Sequence, residues 1–296
     1  MGTPDFAVPA LDLLVQNNYN IVAVITAPDR LGGRGKKQVI ESAVKKYALS
    51  KELKILQPEK FKDETFLAEL KSLEADIQIV VAFRMLPEIV WNMPKFGSFN
   101  LHGSLLPKYR GAAPINWAII NGEKTTGVTT FFLTHEIDTG NILMQDEVEI
   151  LENDDAGTMH DKLMEVGAML VLKTLQAIEQ NQVKPLPQVG DSCSAPKIFH
   201  ETCLIDWNNN IEKIYDFIRG LSPYPGAWTK LTEQEVKIFK TKMHKKAVGN
   251  YKPGESEIVP KTELRIYGKD GYLTVEELQF QGKKRVNISE YLNGLR

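Results

Sequence analysis

Short runs rich in Val and Ile alternate with helical patterns in the first part of the chain, and this alternation most limits the fold. The apolar runs cover residues 21–25, 77–83 and 127–133, and residues 63–73 have helical spacing. Strands that alternate with helices are typical of an α/β domain with a largely parallel sheet. The sequence therefore predicts a Rossmann-like, mostly parallel α/β sheet in this part of the chain.

The composition and the apolar spacing of the sequence change near residue 182. Apolar residues between 158 and 180 recur at helical spacing, which predicts one long helix that closes the first domain. Residues 182–200 contain three prolines, and this composition favours an extended linker. A length of 296 residues is nearer two domains than one. We therefore expect domains at 1–181 and 201–296, joined by a linker at 182–200.

The C-terminal part has a β-rich pattern after one helical segment. A helix is expected at 211–221, and short strands at 227–231, 236–242, 264–267 and 272–280. Gly, Pro and Asp turns separate these strands. The pattern predicts a small C-terminal β-barrel, for which a five-stranded, OB-like (oligonucleotide-binding) barrel is one candidate among several of that size.

The chain opens with a loop-like run, GTPDF at residues 2–6, which leads into a helical pattern at about residues 7–16. In a doubly wound sheet, a strand normally feeds such a loop. We therefore expect a strand ahead of this run to be missing, so that Met1 is not the true start. The alternative is a fold that begins with the helix, since sheet edges are tolerated.

Charge and composition exclude several classes of protein. A formal net charge of -2 gives no global basic field, so any nucleic-acid site must be a local patch. The sequence has no secretory signal and no apolar run long enough to span a bilayer. Its two cysteines lack CxxC spacing, and its histidines lack a metal-ligand spacing. We expect a cytoplasmic monomer that needs no metal and contacts no membrane.

Two polar side chains lie at the end of a strand predicted at residues 98–101. Strand alternation places Asn100 and His102 on one face, at the carboxyl end where open α/β sheets bind ligands. Gly103 lets the backbone turn and Pro107 ends the extended run, so both groups would be held rigidly. A lone histidine at a strand end is more often a structural hydrogen-bonding residue than a catalyst.

A carboxylate follows the strand predicted at 127–133. Asp138 lies in a tight turn with Thr139 and Gly140. A carboxylate at this position is able to orient the imidazole of His102 and to support its charged form. The other interpretation of Asp138 is an Asx-type turn cap, which would be favoured for this residue by itself.

Two local basic runs are candidates for contact with nucleic acid, because lysine and arginine meet phosphates. Residues 201–296 carry 16 basic and 13 acidic residues, against 20 and 25 in residues 1–200. A charge run is usually a solvated surface, so the runs by themselves do not decide the function. The first run contains Arg30, Arg34, Lys36 and Lys37, and the second contains Lys237, Lys240, Lys242, Lys245 and Lys246.

The polar residues and several short motifs together resemble the folate-dependent formyltransferases. The resemblance rests on Asn100, His102 and Asp138 and on GTPDFAVP (2–9), GRGKK (33–37), LQPEK (56–60), SLLP (104–107), YRGAAP (109–114), DTG (138–140), IDW (205–207), IRGL (218–221) and PGAW (225–228). These motifs occur in the order of the family and cover nearly the whole chain. Members of the family normally have a short apolar strand ahead of the GTPDF run.

The resemblance implies an enzyme that transfers the formyl group of 10-formyltetrahydrofolate, its formyl-donor cosubstrate, to an amine without a metal. It favours, as the acceptor, the α-amino group of methionine on initiator methionyl-tRNA, and therefore a role in translation initiation. By similarity, Asn100 and His102 donate hydrogen bonds to the oxyanion of the tetrahedral intermediate, and Asp138 supports the imidazole.

The resemblance also implies the residues that bind the two substrates. The basic loop of the first run would enter the acceptor stem, and the second run would supply further tRNA contacts. Without the resemblance, most of the apolar folate-site residues would be interpreted as packing residues. The implied folate site comprises Phe83, Arg84, Met85, Leu86, Ser104, Leu105, Leu106 and Pro107, and the implied tRNA site comprises Arg30, Arg34, Lys36, Lys37, Lys237, Lys240 and Lys242.

Two other functions stay open. The first keeps the same three polar residues but formylates a small amine, such as a nucleotide-linked amino sugar or glycinamide ribonucleotide. The C-terminal segment and the glycine-rich basic loop argue against this function. The second is a barrel-bearing RNA-binding protein whose first domain is catalytically dead.

Overall fold

In the computed structural model, residues 1–32, 35, 38–246, 249–260 and 262–294 are described. The chain divides into two units. The first comprises Met1–Gly111, Gly127–Val148 and His160–Ser194, and the second comprises Ala112–Thr126, Glu149–Met159 and Ala195–Arg296.

The helices predicted at 63–73, 158–180 and 211–221 are confirmed, with ends that differ by at most two residues. The described α-helices are α1 (Val8–Gln16), α2 (Ala43–Ser50), α3 (Glu64–Ser72), α4 (Glu88–Trp91), α5 (Pro114–Ile120), α6 (Ala156–Glu179), α7 (Ile211–Gly220) and α8 (Ile288–Asn293). Short 3-10 helices cover Asp5–Ala7 and Glu201–Cys203. No helix in the described part of the chain is long and apolar enough to cross a membrane.

Helix α3 shows how local sequence sets these boundaries. Its N-cap is Asp63, whose carboxylate accepts a hydrogen bond from the amide of Phe66 at 2.9 Å. The side chain therefore satisfies one of the amides that have no partner within the helix. Phe66 and Leu70 are four residues apart and form the buried face.

The predicted strands are all present, two of them with the predicted bounds and the others with shifted ends. The first apolar run is the most shortened, because only Val24–Ile25 forms a strand. The described strands are β1 (Val24–Ile25), β2 (Arg30–Gly32), β3 (Gln38–Ile40), β4 (Ile55–Leu56), β5 (Gln78–Val81), β6 (Ser98–His102), β7 (Lys108–Gly111), β8 (Thr125–Phe132), β9 (Ile142–Glu149), β10 (Cys193–Ala195), β11 (Ala227–Leu231), β12 (Gln234–His244), β13 (Ser256–Val259), β14 (Glu263–Tyr267), β15 (Tyr272–Phe280) and β16 (Val286–Asn287).

The sheet of the first unit combines parallel and antiparallel pairs. Strand β1 is parallel to β4, and β5 is parallel to β6, as expected for an α/β domain. The four-stranded sheet has the order β5-β6-β8-β9, and β6 pairs with β8 in the antiparallel direction. The parallel pairing ends at β6, so β6 has one parallel neighbour, β5, and one antiparallel neighbour, β8.

The first two residues lie between β1 and β5. The amide of Gly2 donates to the carbonyl of Ile25 at 3.0 Å, and the amide of Val81 donates to the carbonyl of Met1 at 2.9 Å. These bonds connect the two parallel pairs through one isolated bridge, Gly2 with Val81. A cavity of about 660 Å³ adjoins Met1 and Gly2 and is lined largely by apolar residues of segments 21–25 and 77–81.

Helix α6 packs against the strands that carry the polar residues. The hydroxyls of Thr130 and Thr174 hydrogen-bond at 2.8 Å in the buried interior. Gly167 allows a close approach, because a Cβ there would lie 2.8 Å from the side chain of Leu101. One side of β6 is therefore fixed against α6, since Leu101 lies on the face opposite Asn100 and His102.

The second unit contains a six-stranded sheet with the order β11-β12-β15-β14-β13, and β16 pairs with β15. These pairs are antiparallel. Helix α7 packs against β12, and Ile211, Ile214 and Ile218 bury one face of that helix. In the described ranges the strands form no closed barrel, because β11 and β13 are not paired with each other.

Candidate active site

His102 is the last residue of β6, and its ring is fixed by the backbone that follows. The Nε2 atom of His102 lies 2.8 Å from the carbonyl oxygen of Tyr109. A carbonyl oxygen only accepts, so Nε2 carries the hydrogen and donates it. In a neutral ring, the lone pair is then on Nδ1. The side chain is buried and contacts Phe131 edge-on, with ring centroids 6.4 Å apart.

Asp138 lies beside the ring in a turn with left-handed backbone geometry, at φ 57°. Its Oδ2 atom accepts a hydrogen bond from the amide of Gly111 at 2.9 Å and lies 3.8 Å from Nδ1 of His102. A separation of 3.8 Å is too long for a hydrogen bond but is close enough for charge attraction when the imidazole is protonated. The structure therefore brings Asp138 next to His102, with its carboxylate held by β7.

Asn100 precedes His102 by two residues on the same strand, so the two side chains share a face. Asn100 is opposite Val80 in the parallel partner strand and opposite Phe131 in the antiparallel one. Its side chain is half-buried and makes no hydrogen bond to any other described residue. The amide is therefore able to donate to a bound molecule.

The loop after His102 is held by side chains from β8 and β9. The hydroxyl of Thr129 donates to the carbonyl of Ser104 at 2.6 Å and accepts from the amide of Leu106 at 3.1 Å. The side-chain amide of Gln145 donates to the carbonyl of Leu106 at 2.9 Å. The peptide bond between Leu106 and Pro107 is cis. Of the expected folate residues in this loop, Ser104 and Leu106 are buried, while Leu105 and Pro107 are half-buried.

In the loop at residues 83–86, some side chains pack in the apolar core and others are exposed to solvent. Leu86 belongs to the apolar core and Phe83 packs against it. The guanidinium of Arg84 lies 4.0 Å from the ring centroid of Phe61 and donates to the carbonyls of Pro58 and Glu59. Met85 is 72% exposed. Met85 and Phe83 are therefore the residues of this loop with apolar surface left for a ligand.

Only part of the first basic run lies in the described residues. Arg30 is exposed at the start of β2, which pairs with β3 in an antiparallel ladder. Leu31 and Val39 of this hairpin are also exposed. Arg34, Lys36 and Lys37 lie outside the described residues.

The lysines of the second run differ in their surroundings. Lys240 and Lys242 are exposed on β12, and both ammonium groups are near the carboxylate of Glu276, at 3.7 and 2.6 Å. Lys237 instead donates to the carbonyl of Pro225 at 2.8 Å. Lys240 and Lys242 therefore share one carboxylate partner, whereas Lys237 is engaged by a backbone carbonyl.

Three groups around His102 and Asp138 were not identified from the sequence. Two are backbone groups, the carbonyl of Tyr109 and the amide of Gly111. The third is the side chain of Gln188, which bonds to the Asp138 turn and to Arg110. Gln188 lies in the segment interpreted as an extended linker, and nothing in its local sequence indicates a contact with Asp138. Among the described residues, no group of three or more His, Cys, Asp or Glu side chains is placed to hold a metal ion.

Two family models match most of the chain. Residues 1–175 match the family model described as "Formyl transferase", and residues 197–296 match that described as "Formyl transferase, C-terminal domain". The chain belongs to the formyltransferase family, which confirms the resemblance found in its motifs. This family uses formyl donors derived from folate.

Similar full-length proteins carry one particular name. The chain is 53% identical over 306 residues to the methionyl-tRNA formyltransferase of Parabacteroides distasonis, covering 100% of this chain and 94% of that relative. It is 50% identical over 301 residues to the protein of the same name from Flavobacterium johnsoniae, covering 100% and 95%.

Solved structures show the same fold at low sequence identity. The sugar 3N-formyl transferase WlaRD, solved in the presence of dTDP and 5-N-formyl-THF, has a TM-score of 0.67 and 23% identity, and the match covers 96% of this chain and 97% of that one. HypX from Aquifex aeolicus, in complex with tetrahydrofolic acid, has a TM-score of 0.62 and 22% identity over 82% of this chain and 43% of that one.

Proposed function

We propose that this chain transfers the formyl group of 10-formyltetrahydrofolate to the α-amino group of methionine on initiator tRNA. The observation that carries the proposal is the placement of Asp138 3.8 Å from His102, which shares a face of β6 with Asn100. The names of the relatives in P. distasonis and F. johnsoniae support methionyl-tRNA as the acceptor.

The first proposed step joins the amine to the formyl carbon, and its proton has an acceptor in the site. Because Nε2 of His102 donates to Tyr109, the lone pair of a neutral ring is on Nδ1, which is able to take the proton of the attacking amine. The imidazolium that results is attracted by the carboxylate of Asp138. Asp138 therefore supports the charge that appears on His102 during the reaction.

The oxyanion of the tetrahedral intermediate needs hydrogen-bond donors. Asn100 supplies its side-chain amide, and the imidazolium of His102 supplies the N–H at Nδ1 after it has taken the proton. Both groups are on the same face of β6. Removing one donor of this kind typically lowers the rate about 100- to 1,000-fold. When the intermediate collapses, the bond between the formyl carbon and the folate nitrogen breaks, and His102 is able to return its proton to that nitrogen as the tetrahydrofolate leaves.

The loops at residues 83–86 and 104–107 are proposed to bind the folate. The exposed side chain of Met85 and the half-buried side chains of Phe83, Leu105 and Pro107 offer apolar surface that suits a flat pterin. Ser104 and Leu106 have buried side chains and backbone groups that bond to Thr129 and Gln145, so these two residues shape the loop that the folate contacts. When bound, 10-formyltetrahydrofolate supplies the activated formyl carbon.

The basic runs are proposed to contact the tRNA phosphates. Arg30, with Arg34, Lys36 and Lys37, would serve the acceptor stem, and Lys240 and Lys242 with Lys237 would add contacts from the C-terminal domain. The division into a Rossmann-like catalytic domain at 1–181, a linker at 182–200 and a β-rich tRNA-binding domain at 201–296 belongs to the same proposal.

The test is a formyl-transfer assay with 10-formyltetrahydrofolate and three acceptors: charged initiator tRNA, free methionine and a nucleotide-linked amino sugar. We expect transfer to the charged tRNA only. His102→Ala and Asn100→Ala should each lower kcat/KM about 100- to 1,000-fold. His160→Ala is the matched control, because His160 is a half-buried histidine of α6 outside the proposed site.

The possible outcomes separate the candidate functions. Formylation of the amino sugar in place of the tRNA would refute the acceptor but keep the reaction. A folded chain that binds the tRNA and transfers no formyl group would refute the catalytic proposal and favour an RNA-binding protein. Equal activity of the His102→Ala and wild-type chains would refute the role of the imidazole.

A further inference from the structure

The side chain of Gln188 connects two elements that hold Asp138. Its amide nitrogen donates to the backbone carbonyls of Asp138 and Gly140, at 2.8 and 2.9 Å. Its amide oxygen accepts from Nε and Nη2 of Arg110, at 3.0 and 2.6 Å. Gln188 thus joins the turn of Asp138 to strand β7, although it is 50 residues from Asp138 and 78 from Arg110 in sequence.

This arrangement uses the full hydrogen-bonding capacity of a glutamine side chain. A primary amide has two N–H donors and an oxygen with two lone pairs, and all four are engaged. The partners also set its orientation, because the two backbone carbonyls only accept and the guanidinium only donates. A glutamate at the same position would direct an oxygen at the two carbonyls, and an asparagine would be one methylene group shorter.

The turn that Gln188 holds, residues 138–140, contains a residue with an unfavourable backbone conformation. Asp138 has a φ of 57°, a left-handed conformation that costs an L-residue energy and is kept only when its surroundings impose it. Gln188 holds the carbonyls on both sides of Thr139. The same glutamine binds Arg110, and the next residue, Gly111, donates its amide to the Asp138 carboxylate at 2.9 Å.

We infer that Gln188 is a positioning residue for Asp138, which holds the carboxylate at the distance from His102 that the reaction requires. The inference rests on the proposed function. Gln188 acts through the backbone of the turn and through β7, and it does not touch the reacting atoms. A residue of this kind affects kcat, because a displacement of about 1 Å in a catalytic group costs about 100-fold in rate.

The test compares four chains in the formyl-transfer assay: wild type, Gln188→Ala, Gln188→Glu and Gln182→Ala. Gln182 is the matched control, since it is an exposed glutamine six residues earlier in the same segment. We expect Gln188→Ala and Gln188→Glu to lower kcat by about 10- to 100-fold with little change in KM for either substrate. Gln182→Ala should keep the wild-type kcat.

A double-mutant cycle with Asp138→Asn separates positioning from general stabilisation. If Gln188 acts through Asp138, adding Gln188→Ala to Asp138→Asn should lower kcat by less than about 3-fold further, because coupled residues are not additive. Full additivity in kcat would overturn the inference. Gln188→Glu guards against misfolding, because it keeps the side-chain volume and the interaction with Arg110.

The outcomes for the two proposals are distinct. A wild-type chain that transfers no formyl group would refute the proposed function and this inference with it. An active wild-type chain with an unchanged kcat in Gln188→Glu, confirmed as folded by its melting temperature, would refute only the role of Gln188.

Discussion

Substitution of Gly140 by alanine should disable the site while leaving most of the fold intact. A Cβ at Gly140 would lie 1.7 Å from the carbonyl oxygen and 2.9 Å from the carbonyl carbon of Phe132, whereas real Cβ atoms essentially never approach below 3.0 Å. The backbones of residues 140 and 132 must therefore separate by about 1.3 Å. Both are backbone positions, so no flexible side chain can absorb the movement.

The displacement falls directly on the turn of Asp138. The amide of Phe132 donates to the carbonyl of Asn141 at 3.0 Å, and Gln188 donates to the carbonyl of Gly140 at 2.9 Å. Both bonds are disturbed when residue 140 moves. Overpacking of this kind costs about 1–3 kcal/mol of stability, and a misplacement near 1 Å costs about 100-fold in rate. We therefore expect Gly140→Ala to lower kcat/KM about 100-fold and the melting temperature by a few degrees.

The measurement combines formyl transfer well below the melting temperature with thermal unfolding. Gly294→Ala is the control, because its Cβ would meet its nearest atoms, the carbonyl oxygens of Tyr291 and Glu290, at ordinary distances of 3.5 and 3.6 Å. Wild-type kcat/KM in folded Gly140→Ala would refute the reasoning, since it would show that the Asp138 turn need not keep its position.

Three further predictions concern binding, reactivity and stability. Alanine at both Lys240 and Lys242 should raise KM for charged tRNA without changing kcat. The variant should also reduce the slope of log affinity against log salt concentration by about 0.7 to 0.9 for each phosphate that it no longer neutralises. An unchanged slope in filter binding would show that neither lysine contacts a phosphate. A maleimide should label exposed Cys193 and spare buried Cys203, because burial raises the pKa of the Cys203 thiol and reduces its thiolate fraction; equal labelling in mass spectra of the digested protein would contradict this. Asp63→Ala should lower the free energy of unfolding by about 1 kcal/mol, because α3 loses its N-cap; an unshifted urea midpoint would contradict it.

Local periodicity predicted four of the eight described α-helices and eight of the sixteen described strands. Strands β11 and β15 have the predicted bounds, and α6 differs from its predicted range by two residues at one end and one at the other. These elements each bury one face, so the spacing of their apolar residues indicates whether the element is a helix or a strand. The least accurate case is β1, where only two residues of an apolar run of five form a strand.

The local sequence pattern did not determine whether the C-terminal sheet closes into a barrel. The sequence predicted its strands and suggested a small barrel, whereas the described strands form an open sheet with β11 and β13 at its edges. A barrel requires those two edges to pair. Pairing of edges depends on the curvature and register accumulated over the whole sheet, and no single strand encodes them.

The sequence by itself determined that Asn100 and His102 share a face, because strand alternation requires it. Only the tertiary structure decided how the site is held. The amide of Gly111 is 27 residues from Asp138, and Gln188 is 50 residues from the same aspartate. Hydrogen bonds over such separations depend on the path of the chain in space, and backbone amides and carbonyls have no residue-specific signal in sequence. The candidate catalytic groups were therefore readable from the sequence, whereas the groups that orient them were not.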